Sequence, residues 1–591
     1  MEGNDQSRRA AVHADRSRCR SAGAGQPGRD GSRRHGRTRH PSAHPRAPGA
    51  HAGPQEVTVP DRRAVLLLLA ASLLPYLNAL PNEFTVDDFG LVVQNEAVAT
   101  FDAVSFWSQD YWAGYDANAR SGLYRPLTLT SFAAEYALFG LQPFPYHVTN
   151  LLLHLSVTLL AWRLFLRLVG AAPALWGAAV FAVLPGHSEA VIAVAGRADL
   201  LATAMILMAL LVWTGGDGWR RVVSGAMCFG FGLLAKEQAA LAPGLLLCVD
   251  WLWFRRHSRS WCWQPYAAAA LMAAGYLWLR HGVMGGLTTM EIEPLDNPLV
   301  DLPGAERVLA ALAVATRYAI LLVLPARLSA DYSYAAIEVD ALHILEITGG
   351  LLLVLAVAAT AWRFVRQPDP PGLAMVWLAV SFAPLVNVLF PIGTILAERI
   401  SYTPSIGYAL GVGWALDRAR HRLGTRAARS LGLALLLVLA VRTTIRCADW
   451  RDELSLFTAV VEVYPDNAKG HKGLAKALKD AGRLAEAETH YREAIGIYPR
   501  FDTAHYNLGI LLLETARADE ALFHFERACA LRPTFADAHL NRGVALFQLG
   551  RLSESREATL RAVELRPAWD VAQQNLQDVE GVIDQMEAAE R

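Results

Sequence analysis

The sequence predicts an all-α protein, a polytopic bundle of 11–12 hydrophobic helices in a membrane followed by a helical-repeat solenoid. Three observations carry this. Apolar residues make up 53% of the 591 and fall in long blocks rather than in an amphipathic period. Several blocks reach the ~17–20 residues needed to cross ~30 Å of hydrocarbon. Beyond residue 465, prolines recur at 34-residue spacing (Pro465, Pro499, Pro533, Pro567), which marks stacked repeats rather than spans.

Residues 1–60 are rich in Arg, Gly, Ser, His and Pro and nearly free of large apolar side chains. They have too little to bury to offset backbone entropy and are expected to be disordered. Residues 61–448 form the membrane domain, with apolar blocks near 64–80, 148–168, 171–186, 199–214, 222–235, 238–254, 264–281, 306–325, 345–362, 373–390, 403–416 and 429–445. Basic clusters at Arg62-Arg63, Arg163/Arg167, Arg220-Arg221, Arg255-Arg256/Arg259, Arg363/Arg366 and Arg418–Arg429 all belong in the cytoplasm by the positive-inside rule. That assignment holds only if 306–325 is re-entrant or interfacial. It then leaves eleven full crossings, with the C-terminal domain opposite the cytoplasm. The outer loops become 81–147, 187–198, the turn at Lys236-Glu237, 282–344 and 391–402. The first contains Trp107, Tyr111, Trp112 and Tyr115, which suit short helices lying at the interface.

Residues 449–464 read as a linker. From 465 to 569, Leu474/Leu508, Gly509/Gly543, Leu478/Leu512/Leu546, Ala487/Ala521, Tyr491/Phe525 and Ala494/Ala528/Ala562 recur at matching offsets. Small residues that let paired helices approach, closed by a proline, are the tetratricopeptide signature. The pattern gives three repeats, and residues 570–591 supply a capping helix and tail. Three repeats are near the minimum for a stable stack.

The net charge of zero averages a basic membrane half against an acidic-leaning tail and excludes nothing. The six cysteines lack CxxC spacing, so a disulfide framework or zinc site is not expected. Of 55 basic residues only five are lysines. Four of these (Lys469, Lys472, Lys476, Lys479) sit in one repeat helix, and the fifth is Lys236.

Ionisable groups beside spans are costly unless they line a polar cavity. Here they gather on the outer side: Asp87/Asp88, Tyr124-Arg125-Pro126, His187/Glu189/Arg197/Asp199, Lys236/Glu237 and Glu398/Arg399 with Tyr402, with Asp331-Tyr332-Ser333 as a sixth candidate. Arg125, Arg197, Lys236 and Arg399 are candidates to neutralise a phosphate, because Arg offers a hydrogen-bonding fork and Lys a point charge. Asp87 is a candidate general base for an acceptor hydroxyl. Asp88 is the second catalytic candidate, and Glu189, Asp199, Glu237 and Glu398 are supporting acids. A phosphate leaving group needs charge stabilisation more than a proton, so two acid/base carboxylates are not required. No metal is expected at this site. Adjacent Asp87 and Asp88 diverge in extended chain, and no His–acid pair lies beside them at ligand spacing. The expected partners are a lipid-phosphate sugar and the bilayer, with no nucleic acid.

The strings FTVDDFGLVVQNEAV, YRPLTLTSF, PFPYHVTNLLLH, LPGHSEAVIAVAGRADLL, LLAKEQ, LSADYSY and LFPIGTILAERISYTPSIG, in this order from 82 to 416, resemble the transmembrane-and-TPR-repeat (TMTC-like) protein O-mannosyltransferase family. The resemblance implies a GT-C glycosyltransferase fold and mannose transfer from a polyprenyl- or dolichyl-phosphate-mannose donor to Ser/Thr hydroxyls of translocated proteins. It implies Asp87 as the base and Asp88 as the residue orienting acceptor or sugar. Transfer would invert the anomeric centre, and the repeats would hold the acceptor protein. The expected location is a bacterial inner membrane with the repeats extracytoplasmic, or the endoplasmic reticulum with the repeats lumenal. Two alternatives stay open: another lipid-linked sugar, and a non-catalytic membrane-anchored repeat scaffold that would leave the outer charges unused.

Overall fold

The computed structural model describes residues 62–115, 121–216, 218–257, 261–286, 292–334, 344–388 and 391–590. The expectation of disorder for 1–60 therefore lies outside the described residues. Every regular element described is helical.

Each of the twelve apolar blocks becomes a helix. The chain begins with α1 (Arg62–Leu73), which continues as a 3₁₀ segment to Ala79. The first outer loop then carries three small helices, α2 (Glu96–Ala99), α3 (Ala103–Ser108) and α4 (Pro126–Phe139). The bundle proceeds through α5 (Pro143–Val169), α6 (Ala171–Ala182), the short α7 (Ser188–Ile192), α8 (Arg197–Trp213), α9 (Trp219–Ala235), α10 (Ala242–His257) and α11 (Gln264–Met284). It closes with α12 (Gly304–Val323), α13 (Ile344–Arg366), α14 (Pro370–Phe382), α15 (Ser405–Leu423) and α16 (Thr425–Asp449).

Among the described residues, fewer helices than the eleven expected crossings meet the full length and apolarity of a span on their own. Five qualify: Arg62–Ala79, α5, Val194–Trp213, α13 and α16. A sixth arises if α6 and the segment Pro185–Ile192, bent by 55°, form one broken span. The remaining apolar helices are shorter, as α14 is at 13 residues, more charged, as at the arginine-rich end of α15, or less apolar, as is the alanine-rich α11. Residues 304–323 form one unbroken helix packed on α13, while the bend comes at Val183-Leu184-Pro185, where proline removes a backbone donor. Lipid-facing character is clearest on α13, whose apolar window is only 6% buried in the protein.

Glycine sets how closely the inner helices approach. A Cβ on Gly413 of α15 would lie 2.3 Å from the Pro173 carbonyl oxygen and 2.7 Å from the Gly177 nitrogen of α6. A Cβ on Gly350 of α13 would lie 2.3 Å from the Leu312 carbonyl oxygen of α12. In lipid there is no hydrophobic force between helices, so such backbone contact supplies much of the association.

The repeat array spans α17 (Glu453–Val463), α18 (Ala468–Asp480), α19 (Leu484–Ile497), α20 (Asp502–Glu514), α21 (Ala518–Leu531), α22 (Ala536–Gln548), α23 (Leu552–Leu565) and α24 (Asp570–Glu590). Residues 453–463 are thus a helix rather than a linker. Asp452 caps it, accepting from the Ser455 N–H, and Leu454, Phe457 and Val461 pack onto the repeat core. The recurring residues read from sequence are the buried ones: Leu508, Leu512, Leu546, Ala487, Ala521, Tyr491 and Phe525 are all at most 1% exposed. The array docks on the loop before and after α12. Leu295 shares a core with Ala468, Phe501 and Ala504, and the Asn467 amide donates to Asp331 Oδ1 at 2.8 Å.

Because α6 and α15 touch at backbone level, Gly413→Val has no room without separating them. We expect a loss of about 1–3 kcal/mol or more from overpacking, read as a lowered melting temperature in detergent, while Gly424→Val at the open α15–α16 turn should cost stability only through its positive φ of 86°.

Candidate active site

The first outer loop hangs from the C-terminal end of α16. The Asn82 side chain donates to the carbonyls of Cys447 (3.2 Å) and Trp450 (2.9 Å), and the Glu83 N–H donates to Arg451. His147 of α5 bridges the same loop to α7, with its ring nitrogens 3.1 Å from the Asn82 oxygen and 3.0 Å from the Ile192 oxygen. Val86 then takes φ +46°, a conformation that a β-branched residue adopts only under constraint. This turn sends the two acids in different directions.

Asp88 is fully buried. Its carboxylate accepts from the N–H of Ala195 at 2.8 Å and of Thr85 at 3.1 Å. Burial pushes its carboxyl up to about 7, against the opposing pull of the Ala195, Thr85 and Val194 N–H groups. With both oxygens committed to backbone, Asp88 fixes the loop against the segment before α8 and does not face a substrate, which corrects the expectation that it orients sugar or acceptor directly. Asp87 points the other way, with its side chain 36% exposed and Oδ2 3.6 Å from Arg399 Nη1.

Three helix contacts deliver the rest of the site. Close packing of α6 on α15 brings Glu189, at the start of α7, to Arg399 in the turn before α15. Glu189 accepts from Arg399 Nη1 at 2.8 Å and from its backbone N–H at 2.9 Å. The α8–α9 pair brings Asp199 in the first turn of α8 to Lys236 at the end of α9, with Nζ 2.7 Å from each carboxylate oxygen. Arg125, just before α4, reaches Glu237 with Nε at 3.2 Å and Nη2 at 3.0 Å, and lies 5.2 Å from the Tyr111 ring centre. These pairs are neighbours. Lys236 feels the charges of Arg125 and Arg399, and Arg399 those of Asp87 and Asp199. The buried Tyr111 hydroxyl lies in the fields of Arg125, Asp87, Glu237 and Arg399.

The cluster therefore holds three cations (Arg125, Lys236, Arg399) and four carboxylates (Asp87, Glu189, Asp199, Glu237). Three of the acids each hold one cation within 3.0 Å, and Asp87 is the surplus. Asp87 is thus the one carboxylate of the four that reaches its cation only at 3.6 Å and keeps a partly exposed face. Cations at the mouth of the same cluster suit an anionic group.

Two expected members lie elsewhere. Arg197 is 1% exposed and saturated: Nη2 is 2.5 Å from Glu135, Nε donates to Asn150 at 2.9 Å, and the guanidinium stacks 4.8 Å from the Phe132 ring centre. It is a structural cation locking α8 to α4 and α5, not a phosphate ligand. Glu398 is also sealed, 3.3 Å from Arg446 Nη2 and accepting from the Tyr332 hydroxyl at 2.9 Å. Burial pushes its carboxyl up to about 7 despite Arg446. Asp331 and Ser333 are occupied at the repeat interface. Tyr402 and His187 belong to a buried aromatic cluster, with the Tyr402 hydroxyl 2.8 Å from His154 Nδ1 and His187 Nε2 2.8 Å from Ser405 Oγ.

Sequence reasoning missed Glu135, Tyr111 and Arg446. Glu135 had a signal, as the only acid in apolar α4. The lysine run also gains a place. On α18, Lys476 lies 5.3 Å from the Phe89 ring centre, Lys469 pairs with Asp296 and feels the charge of Asp87, and Lys472 lies 5.8 Å from the Phe501 ring centre. The first repeat thus presents its cationic face to the loop that carries Asp87.

Comparison with known proteins bears out the resemblance. The tetratricopeptide repeat family profile matches residues 449–500 and 503–569. A Caenorhabditis elegans protein O-mannosyl-transferase (F38B6.6) is 30% identical over 444 residues, covering 73% of this chain and 62% of that protein. Drosophila melanogaster protein O-mannosyl-transferase Tmtc3 is 29% identical over 508 residues (73% and 54%), and Homo sapiens TMTC1 29% over 482 (73% and 55%). The chain spans between half and two thirds of the length of these relatives. Among solved structures, an Archaeoglobus fulgidus oligosaccharyltransferase tethered with an acceptor peptide aligns at 13% identity and TM-score 0.38, covering 69% of this chain and 57% of that one.

The two classes of arginine predict different losses. Arg197→Gln strands Glu135 in the core and should cost about 3–5 kcal/mol, seen as a large drop in melting temperature or failure to fold. Arg399→Gln should cost less, because its site is 39% exposed and its backbone N–H keeps the 2.9 Å bond to Glu189.

Proposed function

We propose that this chain, whose relatives are protein O-mannosyl-transferases, is a membrane glycosyltransferase. It transfers mannose from a polyprenyl- or dolichyl-phosphate-mannose donor to Ser or Thr hydroxyls of translocated proteins. The single observation that carries the reading is the surplus carboxylate: Asp87, partly exposed, shares Arg399 at 3.6 Å with Glu189, which holds the same guanidinium at 2.8 Å. In this reaction the acceptor hydroxyl oxygen bonds to mannose C1 as the C1–O bond to phosphate breaks, and Asp87 takes the hydroxyl proton. The leaving phosphate keeps the bonding electrons, and Arg399, Lys236 and Arg125 at the mouth of the cluster stabilise that charge. Asp88 and the constrained Val86 hold the base in place, as positioning residues. The acceptor enters beside the lysine face of α18, and the repeats hold its flanking chain.

Connectivity supports a site on the outer side of the membrane. The basic residues Arg220-Arg221, Arg255-Arg256 and Arg418–Arg422 lie at the helix ends opposite Lys236, Glu237 and Arg399. The positive-inside rule puts those ends in the cytoplasm. The chain leaves α16 at the site end, so the repeats follow the site. The reading places the protein in a bacterial inner membrane with the repeats extracytoplasmic.

In membranes supplied with radiolabelled polyprenyl-phosphate-mannose, Asp87→Asn should lower transfer to protein by about 10²–10⁴-fold, the usual contribution of a general base. Equal incorporation by wild type and variant would remove Asp87 from the mechanism, and none above control membranes would favour the scaffold reading. Protease added outside spheroplasts should release the repeat array; cleavage only in inverted vesicles would reverse the orientation.

A further inference from the structure

We propose that the first repeat carries a binding site for a zinc-class divalent ion, formed by His471 of α18 with His490 and Glu493 of α19. His471 Nδ1 is 3.0 Å from His490 Nδ1, and one oxygen of Glu493 lies 2.9 Å from each ring nitrogen. The three ligand atoms thus form a triangle whose sides are 2.9–3.0 Å. His471 Nε2 lies 2.6 Å from the Pro465 carbonyl oxygen, to which it must donate. That bond fixes the tautomer and leaves Nδ1 with its lone pair turned inward. A metal-ligating histidine commonly has its other nitrogen held in this way.

Proton counting favours a cation. In the neutral pair, the lone pairs of His471 Nδ1 and the Glu493 oxygen converge on the one N–H that His490 Nδ1 can supply. A divalent ion satisfies all three ligand atoms together. An ion about 2.1 Å from each, the usual zinc distance, sits roughly 0.9 Å out of their plane after the ligands spread by about 0.4 Å. Two imidazoles and one carboxylate suit zinc or a similar transition ion, and provide too few oxygens for calcium or magnesium. His471 is buried, His490 half-buried and Glu493 exposed, so the fourth position opens to solvent. The ion would staple the two helices of the repeat whose lysines face the Asp87 loop.

The neighbouring repeats supply an internal comparison. The histidine pair recurs 34 residues on, where His505 Nδ1 is 3.0 Å from His524 Nδ1 and His505 Nε2 is 3.3 Å from the Pro499 oxygen. There the position equivalent to Glu493 is Arg527, a cation that repels the ion. In the third repeat His539 keeps its bond to the Pro533 carbonyl, but Ala558 and Arg561 replace both partners. The histidine–proline contact is thus a feature of every repeat, and the carboxylate is confined to the first.

The test is a competition titration of untagged full-length protein in detergent, stripped with chelator, against a chromophoric zinc indicator. Wild type should bind one equivalent more than Glu493→Gln or His490→Ala, and zinc should raise the melting temperature of wild type only. His505→Ala should retain the site. Arg527→Glu should add a second equivalent, a gain that misfolding does not produce. Comparing variants also separates this site from His13, His35, His40, His44 and His51. Equal stoichiometry and equal melting shifts in wild type and Glu493→Gln, or the same loss in His505→Ala, would overturn the proposal.

Discussion

Charge placed in a low-dielectric bundle must be compensated where it stands, and this requirement organises the membrane half of the protein. Arg197–Glu135 and Arg446–Glu398 are ion pairs whose side chains are almost wholly out of solvent. Removing water from such groups costs several kcal/mol per ion, repaid only by close geometry and additional hydrogen bonds. Arg197 meets that condition with Asn150, Ser131 and Tyr146, each from a different part of the α4–α5 hairpin. The pairs thereby fix which helix ends meet. The partly exposed pairs, Lys236–Asp199, Arg125–Glu237 and Arg399–Glu189, then fall on one rim.

The close glycine contacts and the ion pairs are two sides of one arrangement. Gly177 and Gly413 allow backbone contact between α6 and α15, and Glu189 and Arg399 meet just beyond the joined ends of those two helices. Likewise, Gly232 of α9 packs where a Cβ would lie 2.9 Å from Ala239 and 3.1 Å from Met205 of α8, next to the Lys236–Asp199 pair. Backbone proximity is what allows short salt bridges to form across helix ends. The site inherits its precision from helices rather than from loops. Asp87 stands apart from the helices, on a loop that Asn82, His147 and Asp88 hold on either side of it.

The repeat array is part of this arrangement rather than an appendage. It docks through Leu295, Asp331 and Tyr332 on the chain around α12, and Tyr332 also donates to Glu398. A path of direct contacts therefore runs from the repeat interface to the turn carrying Arg399. Four of the five lysines in the chain lie on α18, where three of them face aromatic or acidic groups of the junction.

The sequence by itself determined the helical class, the positions of the twelve apolar helices, the repeat period and the gathering of Asp87, Arg125, Glu189, Asp199, Lys236, Glu237 and Arg399. These follow from local rules: apolar block length, a 34-residue period, and charge stranded beside apolar runs. Only the tertiary structure decided which of those charges were available. Arg197 and Arg399 are alike in sequence, each an arginine beside an acid at the edge of an apolar block. What separates them is a glutamate 62 residues earlier in α4, which takes Arg197 into the core. Asp87 and Asp88 are adjacent, yet one turn at Val86 commits Asp88 to the Ala195 N–H and leaves Asp87 open. Pairing across such separations is a property of packing, because it depends on which helix ends meet, and no local pattern encodes that.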